Sequence, residues 1–253
     1  MHNISLNQIV ESNNLVFIDT SILFKSLNFH IEFDIENFEK PQNSQKIAMK
    51  TPLSTQISHV NLQKLGFSNQ SINKKSFLEI ILMEEDYSEK LLDFVYSNSN
   101  VFITKKVYYE YMNGITLMKI KIGKMAFSQQ ASLNDRKKIA KIQTNYFNLQ
   151  KTLNQKIFNK LDKNKSFFEL LNSVEEQIKK IEYKKIISKT DVELYTHALF
   201  LATQNNQTAI ITRDYDFLKI NDSITHIEPY CKNKIYMQEN NLNELIHKYK
   251  LLI

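Results

Sequence analysis

Two aspartates, Asp214 and Asp216, follow a short apolar run in the last fifth of the chain. The run is Thr208–Thr212, within the stretch TAIITRDYDFLK. A buried, unpaired carboxylate is costly, so acids in this position must be solvated, paired or bound to a cation. Asp19 stands in the same relation to a second apolar run, Leu15–Ile18. The repeated arrangement predicts that these acids belong to one site.

Two further acids, Glu110 and Asp191, lie on predicted helices. Thr190 and Glu193 have the spacing of a capping box, which predicts a helix capped by Thr190 with Asp191 as its first residue. Glu110 lies one and a half to two turns into the helix after the apolar run VFIT. Taken alone, each acid is also explained by helix capping or by an ordinary solvated helix side chain.

A parallel sheet would bring these acids together. Ligands of open parallel sheets bind beyond the carboxyl ends of the strands. If the strands that precede Asp19 and Asp214 are neighbours, the carboxylates share one small volume and raise each other's pKa. Such a cluster requires bound protons or a divalent cation. A site with oxygen ligands only, without His or Cys, favours Mg²⁺ or Mn²⁺ over zinc.

The elements that must position the acids alternate between strands and helices. The three apolar runs named above predict buried strands, and the periodic stretches between them predict helices. Further along, ITHIEP and KIYMQ predict peripheral strands, and NNLNELIHKYKLL predicts a closing amphipathic helix. The fold class predicted is α/β, a three-layer α/β/α sandwich with a mainly parallel central sheet and a helical insertion.

Residues 1–253 are predicted to form a single domain with two insertions, since this length suits one large domain. Residues 28–75 show no sustained period, which predicts a loop insertion. Residues 125–187 are rich in lysine and predict two or three helices, including 134–161 and 166–183. Apolar residues make up 42% of the chain, enough for a core of this size.

The charge is unevenly distributed along the chain. Residues 119–189 hold 17 basic and 6 acidic residues, a net charge of +11, while the whole chain carries +6. This uneven charge fits a protein that holds a polyanion with its basic segment and a cation with another part. A lysine-rich helix face exposed to solvent explains the charge about equally well. Only Arg136 and Arg213 are arginines, so bidentate reading of bases has few candidates.

Composition excludes several other classes. Three glycines argue against P-loop and dinucleotide-binding sites, and the single Cys231 excludes an internal disulfide framework or a cysteine zinc site. The N-terminal sequence MHNISLNQIV lacks the pattern of a signal peptide, and no apolar run is long enough to span a membrane. We therefore expect a cytoplasmic protein with no membrane partner.

In chain order, the motifs VFIDTS, YYEYM, TDVELYTHAL and IITRDYDF resemble those of the PIN-domain family of metal-dependent nucleases. The resemblance covers residues 15–27, about 100–112 and 188–220, and its most specific part is the Asp-bearing helix that leads into TRDYD. It implies that the metal-coordinating catalytic acids are Asp19, Glu110, Asp191 and Asp214, with Asp216 as an auxiliary metal ligand. It also implies that hydroxyl groups support these carboxylates, namely those of Thr20 and Thr212.

The resemblance further implies an endonuclease that uses Mg²⁺ or Mn²⁺ to hydrolyse phosphodiester bonds, most often in single-stranded RNA. The products would carry a 5′-phosphate and a 3′-hydroxyl. The candidates for contact with phosphate are Lys105, Lys106 and Arg213. Those for stacking on bases are Tyr108, Tyr109 and Tyr146, although core packing explains these tyrosines equally well.

Other functions are left open by the sequence. The chain could be a catalytically silent PIN-like module that binds nucleic acid or a protein, or a nuclease that acts on DNA, such as a defence effector. A phosphatase with Asp19 as nucleophile is disfavoured, because that chemistry usually uses an acid two residues later, where Ser21 stands. A protein partner such as an antitoxin or defence component and a homo-oligomer are also left open. His197 is expected to be a buried helix residue and not a catalytic base.

Overall fold

The computed structural model describes residues 5–24, 82, 84–126, 132–180, 187–224, 234–238 and 249–251. Within these ranges the strands are β1 (Leu15–Ile18), β2 (Val101–Phe102), β3 (Thr208–Thr212), β4 (Lys234–Gln238) and β5 (Tyr249–Leu251). The helices are α1 (Leu6–Glu11), α2 (Glu84–Ser97), α3 (Lys105–Ala126), α4 (Leu133–Gln155), α5 (Lys165–Lys180), α6 (Lys189–Ala202) and α7 (Asp216–Ser223). A 3₁₀ turn, Thr20–Ile22, follows β1.

The strands form one mixed sheet in the order β2-β1-β3-β4-β5. All neighbouring pairs are parallel except β4 and β5, which are antiparallel. Strand β1 pairs with β3 from Leu15 opposite Thr208 to Ile18 opposite Ile211. The structure thus confirms an α/β fold with a mainly parallel sheet. The strands that precede Asp19 and Asp214 are neighbours, which is the condition for a shared site.

The order of the strands places a reversal of chain direction across the sheet at β1. The chain passes from β1 to β2 on one side of β1, and later returns to β3 on the other side. Such a reversal separates the loops beyond the carboxyl ends of the adjacent strands, which is where ligands of open parallel sheets bind. Asp19 directly follows β1, and Asp214 follows β3 by two residues.

Strands β1 and β3 are held in place by their burial in the core. Every residue of β3 is buried, and so are Val16, Phe17 and Ile18 of β1, as expected for interior strands of a parallel sheet. Helix α6 supplies a nearly continuous buried run from Leu194 to Leu201. A short turn with Asn205 in the left-handed conformation, φ 63°, then returns the chain into β3.

The lysine-rich part of the chain is helical and is attached to the rest of the core. Helix α4 buries one stripe at helical spacing, and the hydroxyl of Tyr111 on α3 donates to the carbonyl of Tyr146 on α4 at 3.0 Å. Helix α4 ends at Gln155, earlier than predicted, because Ile157 forms an extended bridge with Ile103 beside β2. No helix in the described ranges combines the length and apolarity needed to cross a bilayer.

The predicted capping box at Thr190 is wrong. Ser188 caps α6, and its hydroxyl accepts from the backbone N–H of Asp191 at 3.0 Å. Because Ser188 satisfies that donor, the Thr190 hydroxyl is available for a contact outside the helix. Glu193, the other member of the expected box, pairs with Lys106 Nζ at 2.5 Å.

The predicted closing helix is also wrong over its described part. Residues 249–251 form β5, which pairs with β4 at the edge of the sheet and satisfies its backbone groups. The predicted strand KIYMQ is confirmed as β4. The loop insertion at 28–75, the start of the helix before Glu84 and most of the predicted strand ITHIEP lie outside the described residues.

Candidate metal centre

Three aspartates converge beyond the carboxyl ends of the central strands. One oxygen from each of Asp191, Asp214 and Asp216 lies within 4.8 Å of the other two. Asp191 is the third residue of α6, Asp214 lies in the turn after β3, and Asp216 opens α7. Two helix starts and one strand end therefore supply the carboxylates.

Asp19 lies beside this group and is held by three donors. It caps the 3₁₀ turn that follows β1, and its Oδ2 accepts from both the backbone N–H and the hydroxyl of Ser21. The Thr212 hydroxyl donates to the same oxygen at 2.8 Å. The local sequence Asp-Thr-Ser explains the first two contacts, and the pairing of β1 with β3 supplies the third.

Thr212 connects the acids of the two strands. Its hydroxyl donates to Asp19 and accepts from the backbone N–H of Asp214 at 2.9 Å. Asp214 Oδ1 in turn accepts from the backbone N–H of Asp216 at 2.9 Å. This chain of hydrogen bonds sets the conformation of the turn that carries two of the clustered carboxylates.

Glu110 reaches the same region from α3. The Thr20 hydroxyl donates to its Oε2 at 2.7 Å, and the Thr190 hydroxyl donates to its Oε1. Glu110 thus bridges the turn after β1 and the start of α6. Two glutamates at the start of the preceding helix, α2, have partners outside this region. Glu84 accepts from the buried Tyr146 hydroxyl, and Glu85 lies near lysines of α4.

Burial and neighbouring negative charges make Asp191 and Asp19 reluctant to ionise. Burial, followed by the charges of Asp19 and Asp214, raises the pKa of Asp191 from 3.8 to about 8, against the hydrogen bond from Ser188. Burial also raises the pKa of Asp19 to about 6, with a smaller contribution from Asp214. The hydrogen bonds from Ser21 and Thr212 oppose this rise. Without a cation, the cluster is therefore poorly compensated when fully charged.

The donor set fits a hard divalent cation. Only carboxylate oxygens contribute to the cluster among the described residues, which suits Mg²⁺ or Mn²⁺ and not zinc. The Lys219 ammonium lies 2.6 Å from Asp216 Oδ1 and offsets part of that charge. Part of the charge on Asp216 is therefore already compensated within the protein.

Sequence reasoning missed part of the hydroxyl shell. Ser21 and Ser188 each accept from one backbone N–H, and Ser21 also donates to Asp19. Thr190 was interpreted as a helix cap and instead donates to Glu110. The only sequence signal for these roles is that each hydroxyl lies within three residues of a candidate acid.

The three basic candidates for phosphate contact lie in different surroundings. Lys105 is exposed at the start of α3, whereas Lys106 is paired with Glu193. Arg213, expected to face phosphate, points into the fold. Its Nη1 donates to the Phe24 carbonyl at 2.7 Å and its Nη2 to the Tyr87 hydroxyl at 2.5 Å.

The three tyrosines expected to stack on bases also differ in their exposure. Tyr146 is fully buried and donates to Glu84, so it cannot be a surface platform in this fold. Tyr108 is half-buried against the core, and Tyr109 beside it is 55% exposed. The buried ring of His197 lies among phenylalanines and not in the acidic cluster, as expected from the sequence.

Comparisons with known proteins identify no relative of this chain. No family model matches it, and neither the curated proteins nor the solved structures include a significant match. Function must therefore be argued from the geometry of the site.

Proposed function

We propose that the protein is a divalent-metal-dependent nuclease of the PIN-like type that hydrolyses phosphodiester bonds. The observation that carries the proposal is the convergence of Asp191, Asp214 and Asp216 within 4.8 Å, next to Asp19 at the end of the neighbouring strand. We further propose the three-layer α/β/α arrangement of that family for the sheet and its helices.

The argument begins with the energetic cost of the cluster. Burial and neighbouring carboxylates raise the pKa of Asp191 to about 8. Ionisation of this site therefore lowers the free energy of unfolding. A bound cation would offset this loss of stability by neutralising the carboxylates. Strained or electrostatically unfavourable sites of this kind are found where function requires them.

The proposed ligands of the cation are Asp19, Glu110, Asp191 and Asp214, with Asp216, a member of the converging group, as an auxiliary ligand. In such a site Mg²⁺ or Mn²⁺ supplies Lewis-acid stabilisation of the phosphate and lowers the pKa of a water nucleophile. The chain's own hydroxyl groups keep the carboxylates in place. Thr212 and Ser21 orient Asp19, while Thr20 and Thr190 orient Glu110.

Single-stranded RNA is the proposed substrate, following the PIN resemblance. Phosphodiesters are anionic, and the net charge of +11 over residues 119–189 favours their approach even though the site itself is acidic. Lys105, exposed at the start of the helix that carries Glu110, is the best-placed phosphate contact among the three candidates. The cytoplasmic location and an antitoxin or defence partner remain part of this proposal.

The test is a cleavage assay with labelled RNA, single-stranded DNA and duplex DNA, each with Mn²⁺, with Mg²⁺ and with EDTA. We expect cleavage of RNA that depends on the metal and is lost in EDTA. Asp19→Asn and Asp214→Asn should each abolish it, because the amide keeps the shape but removes the charge of a ligand. Cleavage that survives EDTA, or both substitutions, contradicts the mechanism.

The matched control is Asp222→Asn. Asp222 is exposed on α7, the helix that Asp216 opens, and lies outside the cluster of carboxylates. We expect this variant to cleave as the wild type does. A silent nucleic-acid-binding module would bind all three polymers without cleaving any, with the wild type and all variants behaving alike.

A further inference from the structure

Tyr215 is exposed in the turn between two of the clustered acids. It separates Asp214 from Asp216, and 61% of its surface is accessible. The next aromatic residue along the chain, Phe217, is fully buried. Exposure is therefore particular to Tyr215 and is not a general feature of this turn.

The backbone that carries Tyr215 is fixed on both sides. The Asp216 N–H donates to Asp214 Oδ1 at 2.9 Å across the turn, and the Leu218 N–H donates to the Tyr215 carbonyl at 3.1 Å. The preceding acid is held by the Thr212 hydroxyl. A large ring on a fixed backbone loses little conformational freedom when it binds a ligand.

Resting on the proposed function, we infer that Tyr215 is a stacking platform for an unpaired nucleobase next to the bond that is cut. With the scissile phosphate at the proposed metal site, the ring between Asp214 and Asp216 would meet the face of the adjoining base. Stacking on aromatic side chains tolerates all four bases, but it requires that the base be unpaired. Tyr215 therefore selects single strands over duplexes.

The test compares two phosphodiester substrates. One is a single-stranded oligoribonucleotide, and the other is an abasic oligoribonucleotide of the same length, which keeps the phosphodiester backbone but has no ring that can stack. For Tyr215→Ala we expect KM for the oligonucleotide to rise about 5–150-fold, the range that one stacked base provides. Hydrolysis of the abasic strand should be unchanged, and Tyr215→Phe should retain the wild-type KM because its ring can still stack.

The control variant is Tyr96→Ala. Tyr96 is 76% exposed near the end of α2, which leads into the start of β2 and so lies toward the opposite end of the sheet from the acids. We expect no change in KM for either substrate. An equal loss for both substrates in Tyr215→Ala, or an oligonucleotide KM that stays at the wild-type value, overturns the inference.

A binding measurement separates this inference from the proposed function. A single-stranded oligonucleotide carrying 2-aminopurine changes its fluorescence when the base stacks on a ring. If the wild type alters this signal and Tyr215→Ala does not, stacking is supported even where no cleavage occurs, and only the nuclease proposal fails. If both proteins alter it equally, the stacking role is wrong, whatever the cleavage assay shows.

Discussion

The hydroxyl of Thr212 donates to Asp19 Oδ2 at 2.8 Å, joining two residues that are 193 positions apart in the chain. The same hydroxyl accepts from the backbone N–H of Asp214 at 2.9 Å. One side chain at the end of β3 thus orients an acid of the neighbouring strand and the turn that carries the next acid. The pairing of β1 with β3 makes this contact possible.

Thr212→Val should weaken the binding of Mn²⁺ by about 10–100-fold, the usual cost of losing a group that orients a metal ligand. Valine keeps the shape but removes both hydrogen bonds. Calorimetric titration of the purified variant with Mn²⁺ measures the effect. Thr208→Val is the control, because Thr208 is buried on the same strand and donates to the Ala198 carbonyl, away from the acids. Equal metal affinity in the two variants would show that Thr212 does not orient the site.

Asp191→Asn should stabilise the metal-free protein at high pH. Folded Asp191 has a pKa of about 8, above its ordinary 3.8, so the folded state keeps a proton that the unfolded state has lost. Folding therefore becomes less favourable as the pH rises from about 4 to 8. In urea titrations with EDTA, we expect the variant to gain about 1–3 kcal/mol near pH 8 and much less near pH 4.

Asp135→Asn provides a control of opposite sign. Hydrogen bonds from the Ser132 hydroxyl and N–H lower the pKa of Asp135, so its ionised form favours the folded state at neutral pH. This variant should lose stability at high pH where Asp191→Asn gains it.

Excess Mn²⁺ should stabilise the wild type more than Asp191→Asn, because the amide is a poorer ligand. A variant at position 191 that is less stable than the wild type in EDTA near pH 8 contradicts the electrostatic account.

Arg213→Lys should reduce stability without changing the salt dependence of nucleic-acid binding. The guanidinium bonds the Phe24 carbonyl and the Tyr87 hydroxyl, and lies 5.2 Å from the centre of the Tyr87 ring. Lysine keeps the charge but not the planar fork, so we expect a loss of about 1–3 kcal/mol in the free energy of unfolding. Lys105→Ala should do the reverse, with a smaller salt slope and unchanged stability. Arg213→Ala, which also removes the charge, should leave the salt slope unchanged, and a reduced slope in a folded Arg213→Ala protein would support a phosphate contact.

Acid should destabilise the fold through His197. Its ring is 5% exposed, lies 4.4 Å from the ring of Phe167, and faces Glu193, Asp162 and Lys106. Burial lowers the pKa of His197, so the unfolded state binds a proton more readily once the pH falls below about 6.5. His197→Phe should lose less stability than the wild type between about pH 7.5 and 5.5, as measured by urea unfolding at each pH. Equal losses would show that His197 does not contribute to acid sensitivity.

The main elements around the site could be predicted because their signals are local. Apolar runs at 15–18 and 208–212 are too short for helices and too apolar for exposed loops, so they predict buried strands. Elements with competing local signals were predicted less well. Thr190 and Ser188 both suit a helix cap, and only the folded chain shows that Ser188 takes that role. Residues 249–251 have a helical pattern, yet pairing with β4 makes them the edge strand of the sheet and overrides it.

The sequence by itself determined which acids follow the central strands, because each of these acids lies within a few residues of its strand along the chain. Tertiary structure decided which side chains hold those acids and which basic groups are free to face a ligand. Thr190 reaches Glu110 and Arg213 reaches Phe24 across 80 and 189 residues, respectively. No local preference encodes such contacts, since a hydroxyl or a guanidinium bonds whichever acceptor the packing of the core brings within reach.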